Sequence, residues 1–191
     1  MKKTELIKII SKALKKVTST MQGHLGVEFI MKSRLKFEKW LQVELLKELL
    51  IITKNHKDLK IFNEYPVSTK ISKKGETIDL VILENSLKFA TIELKIVPTN
   101  YDSIGFTKST KAITDTIEEM ISDLNKGIND NYVYSFSVGF MFPFPLDPKH
   151  RNNTKDFIKQ ENKLKLAGDL SILDCPLSSF YNSRYYILTS R

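Results

Sequence analysis

The chain reads as a mixed α/β domain, and three patterns in its 191 residues carry that reading. Apolar residues at helical spacing open it, at Leu6, Ile9, Ile10, Ala13, Leu14 and Val17. Two β-branched runs with a period of two follow in mid-chain, residues 77–83 and 88–97, separated by the turn-like Glu84-Asn85-Ser86-Leu87. A further helical period at Ile113, Ile117, Met120, Ile121 and Leu124 then gives way to the aromatic and β-branched run 132–141. No internal repeat is evident, and the length suits one elaborated domain.

Lys8, Lys12, Lys15 and Lys16 surround the first apolar stripe, which makes an amphipathic helix that Gly23 and Gly26 bring to an end. A second helix is expected over residues 36–52, with apolar residues almost all round and hence largely buried. Glu44 and Glu48 project toward the stripe made by Phe37, Trp40, Leu41, Leu45, Ile51 and Ile52. A carboxylate facing a core is costly unless it is paired or bound to a cation, so one of the two needs a partner. Glu48 is read as pairing with Lys47 or Lys54 in solvent.

Residues 62–71 have strand character, and Lys73-Lys74-Gly75-Glu76 supplies a tight turn before the two mid-chain strands. Pro98 and residues 100–105 form a loop, and the third helix should stop near Gly127. The aromatics Tyr132, Tyr134, Phe136, Phe140, Phe142 and Phe144 alternate as in a strand, which favours core and edge packing over base stacking. Pro143, Pro145 and Pro148 should end that strand, because proline cannot donate to a central ladder. Polar residues 149–165 read as a loop or exposed helix, and residues 185–189 as a last strand.

Within the mid-chain hairpin, Ile78, Leu80 and Ile82 should face the same side as Ala90, Ile92, Leu94 and Ile96. If Leu83 pairs with Phe89, Asp79 falls opposite Glu93 and Lys95 opposite Thr77. Two carboxylates placed opposite each other repel, and a cation between them relieves the repulsion; hard divalent ions favour such oxygen ligands.

The formal charge of +8 and pI near 9.4 favour an anionic partner, nucleic acid first and an acidic membrane surface second. Compositional bias toward lysine offers a blander source of the same charge. Of 30 basic residues only Arg34, Arg151, Arg184 and Arg191 are arginine, which suits contacts to phosphates better than bidentate reading of base edges. The single cysteine, Cys175, excludes an intramolecular disulfide and a cysteine-rich zinc site, and fits a reducing cytoplasmic setting. His24, His56 and His150 show no ligand spacing and read as surface or loop residues. Lysines interrupt every early apolar run, so neither a signal peptide nor a membrane span is expected.

The runs Phe37-Glu38-Lys39-Trp40-Leu41-Gln42-Val43-Glu44-Leu45, Gly75-Glu76-Thr77-Ile78-Asp79-Leu80-Val81 and Ile92-Glu93-Leu94-Lys95 together resemble the PD-(D/E)XK superfamily, the restriction-endonuclease-like nucleases. In that family a glutamate on the first core helix, an aspartate on the second strand and a Glu-x-Lys on the third form the catalytic cluster. The likeness extends over residues 36–124 in element order, with Ile78 standing where the family's proline precedes the aspartate. It implies a mixed β-sheet core flanked by helices, with residues 1–35 as an N-terminal helical extension, 36–141 as the catalytic core and 142–191 as a C-terminal elaboration.

It further implies one or two Mg²⁺ ions, replaceable by Mn²⁺, held by Asp79, Glu93, the Leu94 carbonyl and Glu44 directly or through water. Lys95 would orient the attacking water or neutralise charge on the phosphate. Lys108 and Lys111 are candidates for contacts to the nucleic-acid backbone, although each alone reads more simply as a solvated lysine. A homodimer is expected by resemblance only. Glu161-Asn162-Lys163 repeats the Glu-x-Lys form in a polar stretch without strand character, and reads as solvated charge. The reading is therefore a metal-dependent endonuclease acting on DNA. Its competitors are a catalytically inactive nucleic-acid-binding module of the same fold, a domain that docks on membrane or protein through the basic first helix, and a plain surface ion cluster of Asp79, Lys95 and Glu93.

Overall fold

The computed structural model of the chain describes residues 1–22, 37–67, 76–97, 113–145, 154–176 and 181–190. The described elements are α1 (Lys3–Met21), α2 (Phe37–Thr53), β1 (Leu59–Pro66), β2 (Thr77–Glu84), β3 (Leu87–Val97), α3 (Ile113–Asn129), β4 (Tyr134–Pro145), α4 (Thr154–Ala167), β5 (Asp169–Pro176) and β6 (Tyr181–Thr189). The six strands form one mixed sheet in the order β1-β2-β3-β4-β6-β5. Only β3 and β4 run parallel, and α3 connects them, as a parallel pair requires of its crossover. No helix among the described residues is long and apolar enough to cross a membrane.

The hairpin of β2 and β3 turns on Asn85 and Ser86, both with positive φ (51° and 66°), which is the geometry of a tight two-residue loop. That loop pairs Glu84 with Leu87 and Leu83 with Lys88, so the expected Leu83–Phe89 pair does not form. A register shift between Ile82 and Leu83 makes Phe89 the extra residue and restores the pairs Ile82–Ala90 and Leu80–Ile92. The β2–β3 pairing stops there, so Asp79 and Glu93 lie one step past its last pair, and the expected Asp79–Glu93 and Thr77–Lys95 pairs are not part of the ladder. The register up to that point is set by a bulge rather than by a longer loop.

One face of the sheet carries α1 and α2 over the principal core. Leu6, Ile10, Leu14, Leu41, Leu45 and Leu49 meet Leu80, Ile92, Leu94, Phe136, Val138 and Tyr185 there. The aromatics of β4 pack as expected, with the Phe140 ring 5.1 Å from Phe37 and 4.9 Å from Tyr185. Ile78 departs from the alternation and joins Val81 and Tyr132 in a separate cluster. The second helix is not buried all round: Val43, Leu50 and Ile51 are exposed, because they point away from the side that carries Phe37, Leu41, Leu45 and Leu49 onto the sheet.

Several boundaries move. The first strand spans residues 59–66, while residues 68–75 lie outside the description. Strand β4 continues through Pro145 on a shifted register with β6, so its prolines distort the ladder without ending it. α3 runs two residues past Gly127, and the polar stretch near 160 forms α4. β5 has no counterpart in the sequence reading. It forms the sheet edge beyond β6, whose Tyr185 and Ile187 belong to the principal core, as do the apolar residues of α1. The two terminal regions therefore complete the central packing.

On the opposite face, α3 lies directly on β3 and β4. Two glycines permit this approach. A Cβ on Gly127 would stand 2.3 Å from Thr91 Oγ1, and one on Gly139 would stand 2.6 Å from Met120 Sδ. Gly127→Ala should consequently destabilise the fold by about 1–3 kcal/mol through overpacking, read as a lower urea midpoint. An unchanged midpoint would mean that α3 is free to lift from the sheet.

Candidate functional site

The β2–β3 ladder ends at Leu80–Ile92, and beyond it β3 pairs with β4 alone through Val97. At this opening Leu94 N–H donates to Asp79 Oδ2 at 2.9 Å, while the Asp79 carbonyl accepts from the Gln42 side chain of α2 at 2.7 Å. Asp79 is fixed by both of its neighbours.

Glu93 and Lys95 point to the α3 side of β3. The Glu93 residue is only 3% exposed, which removes the plain surface ion cluster as an account. Above it α3 presents Asp123 and Lys126, one helical turn apart. Lys126 Nζ lies 2.9 Å from Asp123 Oδ1, 3.3 Å from Glu93 Oε1 and 3.5 Å from Glu76 Oε1. Lys95 Nζ lies 3.2 Å from Asp123 Oδ2, a charge contact without a well-aligned hydrogen bond. Two lysines and three carboxylates thus form one continuous network, with Asp123 bridging both ammonium groups.

Burial, then the charges of Asp123 and Asp79, push the Glu93 carboxyl up to about 8, against the pull of Lys126 and Lys95. Burial works against the Lys95 ammonium, but Asp123, Glu38 and Glu93 outweigh it and hold its pKa above the ordinary lysine value. The same balance raises Lys126, with Asp123 and Glu93 opposing burial.

The helix glutamate at this site is Glu38. Burial raises its carboxyl pKa first; Lys95 then lowers it, Asp79 raises it, and a backbone hydrogen bond from Ile96 lowers it. Glu44 instead forms an ion pair with Lys47 on its own helix, which also leaves Lys47 engaged away from Glu48. The reason is angular. At 100° per residue Glu38 points about 20° from Leu45, the middle of the buried arc, whereas Glu44 points about 100° away. Counting Trp40 and Ile51 into the arc shifts its centre toward Glu44; the row Phe37, Leu41, Leu45, Leu49 at every fourth residue points instead to Glu38.

Asp123 and Lys126 were also missed. Their signal in the sequence is a charged pair one turn apart at the border of the apolar side of an otherwise clean amphipathic helix. Lys108 and Lys111 lie outside the described residues, as do His24 and His150; His56 is exposed. Glu161, read as solvated, accepts from Arg184 Nη1 at 3.0 Å and from the Tyr186 hydroxyl at 3.2 Å, so it is a structural anchor of α4 on β6. Lys163 pairs with exposed Glu118 at 2.7 Å.

The donor set suits a hard divalent cation in chemistry and charge. Among the described residues, Glu38, Glu76, Asp79, Glu93 and Asp123 gather about Lys95 and Lys126, while Lys39 at the rim, held 2.6 Å from Glu64, also acts on Glu38 and Asp79. Ser137, registered beside Glu93 on β4, has a buried hydroxyl without a hydrogen-bond partner among the described residues. In the arrangement as it stands, no three carboxylate, histidine or cysteine groups among the described residues are disposed to hold a metal ion. The oxygen donors fit such an ion, but the ammonium groups lie between them.

No family model, no curated protein and no solved structure matches this chain.

The raised Glu93 carboxyl fixes the sign of a pH dependence. Between the ordinary value of 4.5 and about 8 the folded chain holds a proton that the unfolded chain releases, so stability falls as pH rises across that window. Thermal melts from about pH 5 to about pH 9 should show a declining midpoint that Glu93→Gln flattens, on the order of a few kcal/mol in all. A wild-type midpoint that climbs over this range would contradict the burial of an unneutralised Glu93.

Proposed function

We propose that this chain is a Mg²⁺-dependent endonuclease that hydrolyses phosphodiester bonds, with DNA as its substrate. The observation that carries this reading is the convergence of Glu38 from α2, Asp79 from β2, and Glu93 and Lys95 from β3 at the open end of one ladder. It is the order of groups that the resemblance to the PD-(D/E)XK nucleases implies, with Glu38 in the place first assigned to Glu44. The net charge of +8 supports an anionic polymer as partner.

In this mechanism Asp79, Glu93 and the Leu94 carbonyl would hold the ion, with Glu38 on the helix side. The chemistry supplied by a divalent cation there would be Lewis-acid polarisation of the scissile phosphate and a lowered pKa of the attacking water. The chain's own residues do the rest. Leu94 N–H fixes the Asp79 carboxylate, Asp123 aims the Lys95 ammonium, and Lys95 meets the charge that develops on the phosphate oxygens. A homodimer and a cytoplasmic setting accompany the proposal as consequences of the resemblance and of the lone Cys175.

A specific observation favours a second reading, the inactive nucleic-acid-binding module. Asp79 Oδ2 accepts from Leu94 N–H, and Glu93 pairs with Lys126, so both proposed ligands already have partners without a metal. Salt-dependent DNA binding without Mg²⁺ or Mn²⁺ uptake would favour this module over the enzyme.

Plasmid nicking with and without Mg²⁺ separates the two. Asp79→Ala and Glu93→Ala should abolish cleavage while retaining DNA binding, and Lys95→Ala should lower turnover by roughly 10²–10³-fold, the scale of one lost transition-state charge contact. Glu38→Gln should impair cutting where Glu44→Gln leaves it intact. Full nicking by Asp79→Ala refutes the enzymatic proposal, and a larger effect at Glu44 than at Glu38 refutes the reassignment.

A further inference from the structure

We propose that Lys126 is the resident cation of this site, holding Glu93 in place and competing with a divalent ion for the same carboxylate. The inference deepens the nuclease reading and rests on it for the identity of the metal ligands. Its basis is geometric. The ammonium of Lys126 is met by carboxylate oxygens of two distant segments, Glu93 on β3 and Glu76 before β2, and of Asp123 one turn back on its own helix. Oxygen atoms gathered in this way around a single positive centre describe a cation cage, and here the cation is covalently attached.

Two features make the arrangement an exchangeable one. The Lys126 side chain is 27% exposed, against 4% for Glu93 and 5% for Asp123, so it has a path to water that those two carboxylates lack, on the side of Glu76, which is 31% exposed. Lysine carries its charge on a flexible four-carbon stem, able to withdraw without unfolding the helix. Asp123 would meanwhile keep Lys95, its other partner at 3.2 Å, and hold that ammonium beside the metal ligands. The floor under the exchange is polar as well, for the Ser137 hydroxyl lies next to Glu93 in the sheet without a partner among the described residues. Lys126 is therefore a positioning residue. It touches neither substrate nor ion in the productive state, and its charge sets the cost of admitting one.

The sign of the effect distinguishes this role from a purely structural one. Removing an ordinary scaffold residue weakens ligand binding, whereas removing a competing positive charge strengthens it. Mn²⁺ titration of the full chain by calorimetry, with circular dichroism to verify folding, reads the difference. Lys126→Met should bind Mn²⁺ roughly tenfold tighter than wild type, as expected for loss of one like charge a few ångströms from the ion. Lys126→Arg should stay near the wild-type value. Lys126→Gln keeps hydrogen-bond donors for Asp123 and Glu93, and carries the test should the methionine variant fold poorly.

Lys163→Met, which removes the same charge from the exposed pair with Glu118, controls for net charge. Equal gains in Lys163→Met and Lys126→Met overturn the inference. So does any folded, charge-neutral Lys126 variant that binds Mn²⁺ no more tightly than wild type, and in that case the metal-dependent reading stands. Absence of Mn²⁺ binding by wild type and variants alike overturns the two together.

Discussion

A buried carboxylate surrounded by others is the constraint on which this site depends. Glu93 lies under α3 within reach of Asp123 and Asp79, and burial with that repulsion raises its carboxyl pKa far above the ordinary range. Such a group persists in a fold when it takes up a proton or when nearby cations offset its charge. Lys95 and Lys126 offset it in part here, with Asp123 shared between them. The close seating of α3 on β3 and β4, which needs Gly127 and Gly139, brings those opposite charges into one layer. Helix packing and site electrostatics are therefore one problem with one solution.

The sheet contributes the second half of the arrangement. Where β2 and β3 stop pairing, a backbone N–H would be left without a ladder partner, and Asp79 supplies the acceptor. The same carboxylate is a metal ligand in the proposed mechanism, so the residue serves the backbone first and the chemistry second. Gln42 and Glu38, one turn apart on α2, reach this opening from the other layer and tie the helix to it. Four elements thus meet at a point where the regular hydrogen bonding of the sheet gives way.

Much of this was legible residue by residue. The alternation of β2 and β3 placed Asp79 against Glu93, and a polar setting separated Glu161-Asn162-Lys163 from the strand-borne Glu93 and Lys95. The register was right for a different reason than expected, since Phe89 is bulged after a two-residue loop. The sequence points to Glu44 rather than Glu38 because Trp40 and exposed Ile51 make the apolar arc of α2 look wider than the face that packs. β5 escaped notice because its half-exposed side chains lack a clean alternation, as suits a sheet edge.

The sequence by itself determined the class of fold, the hairpin and the identity of the acidic pair, because side-chain periodicity is a local property of two or three turns or a single strand. Only the tertiary structure decided which glutamate of α2 faces the site, that Asp123 and Lys126 join it, and that β6 lies beside β4. These depend on where one surface lands on another. Contacts between Glu93 and Lys126, or Asp123 and Lys95, span about thirty residues, and no local pattern encodes the packing that brings such groups within hydrogen-bond distance.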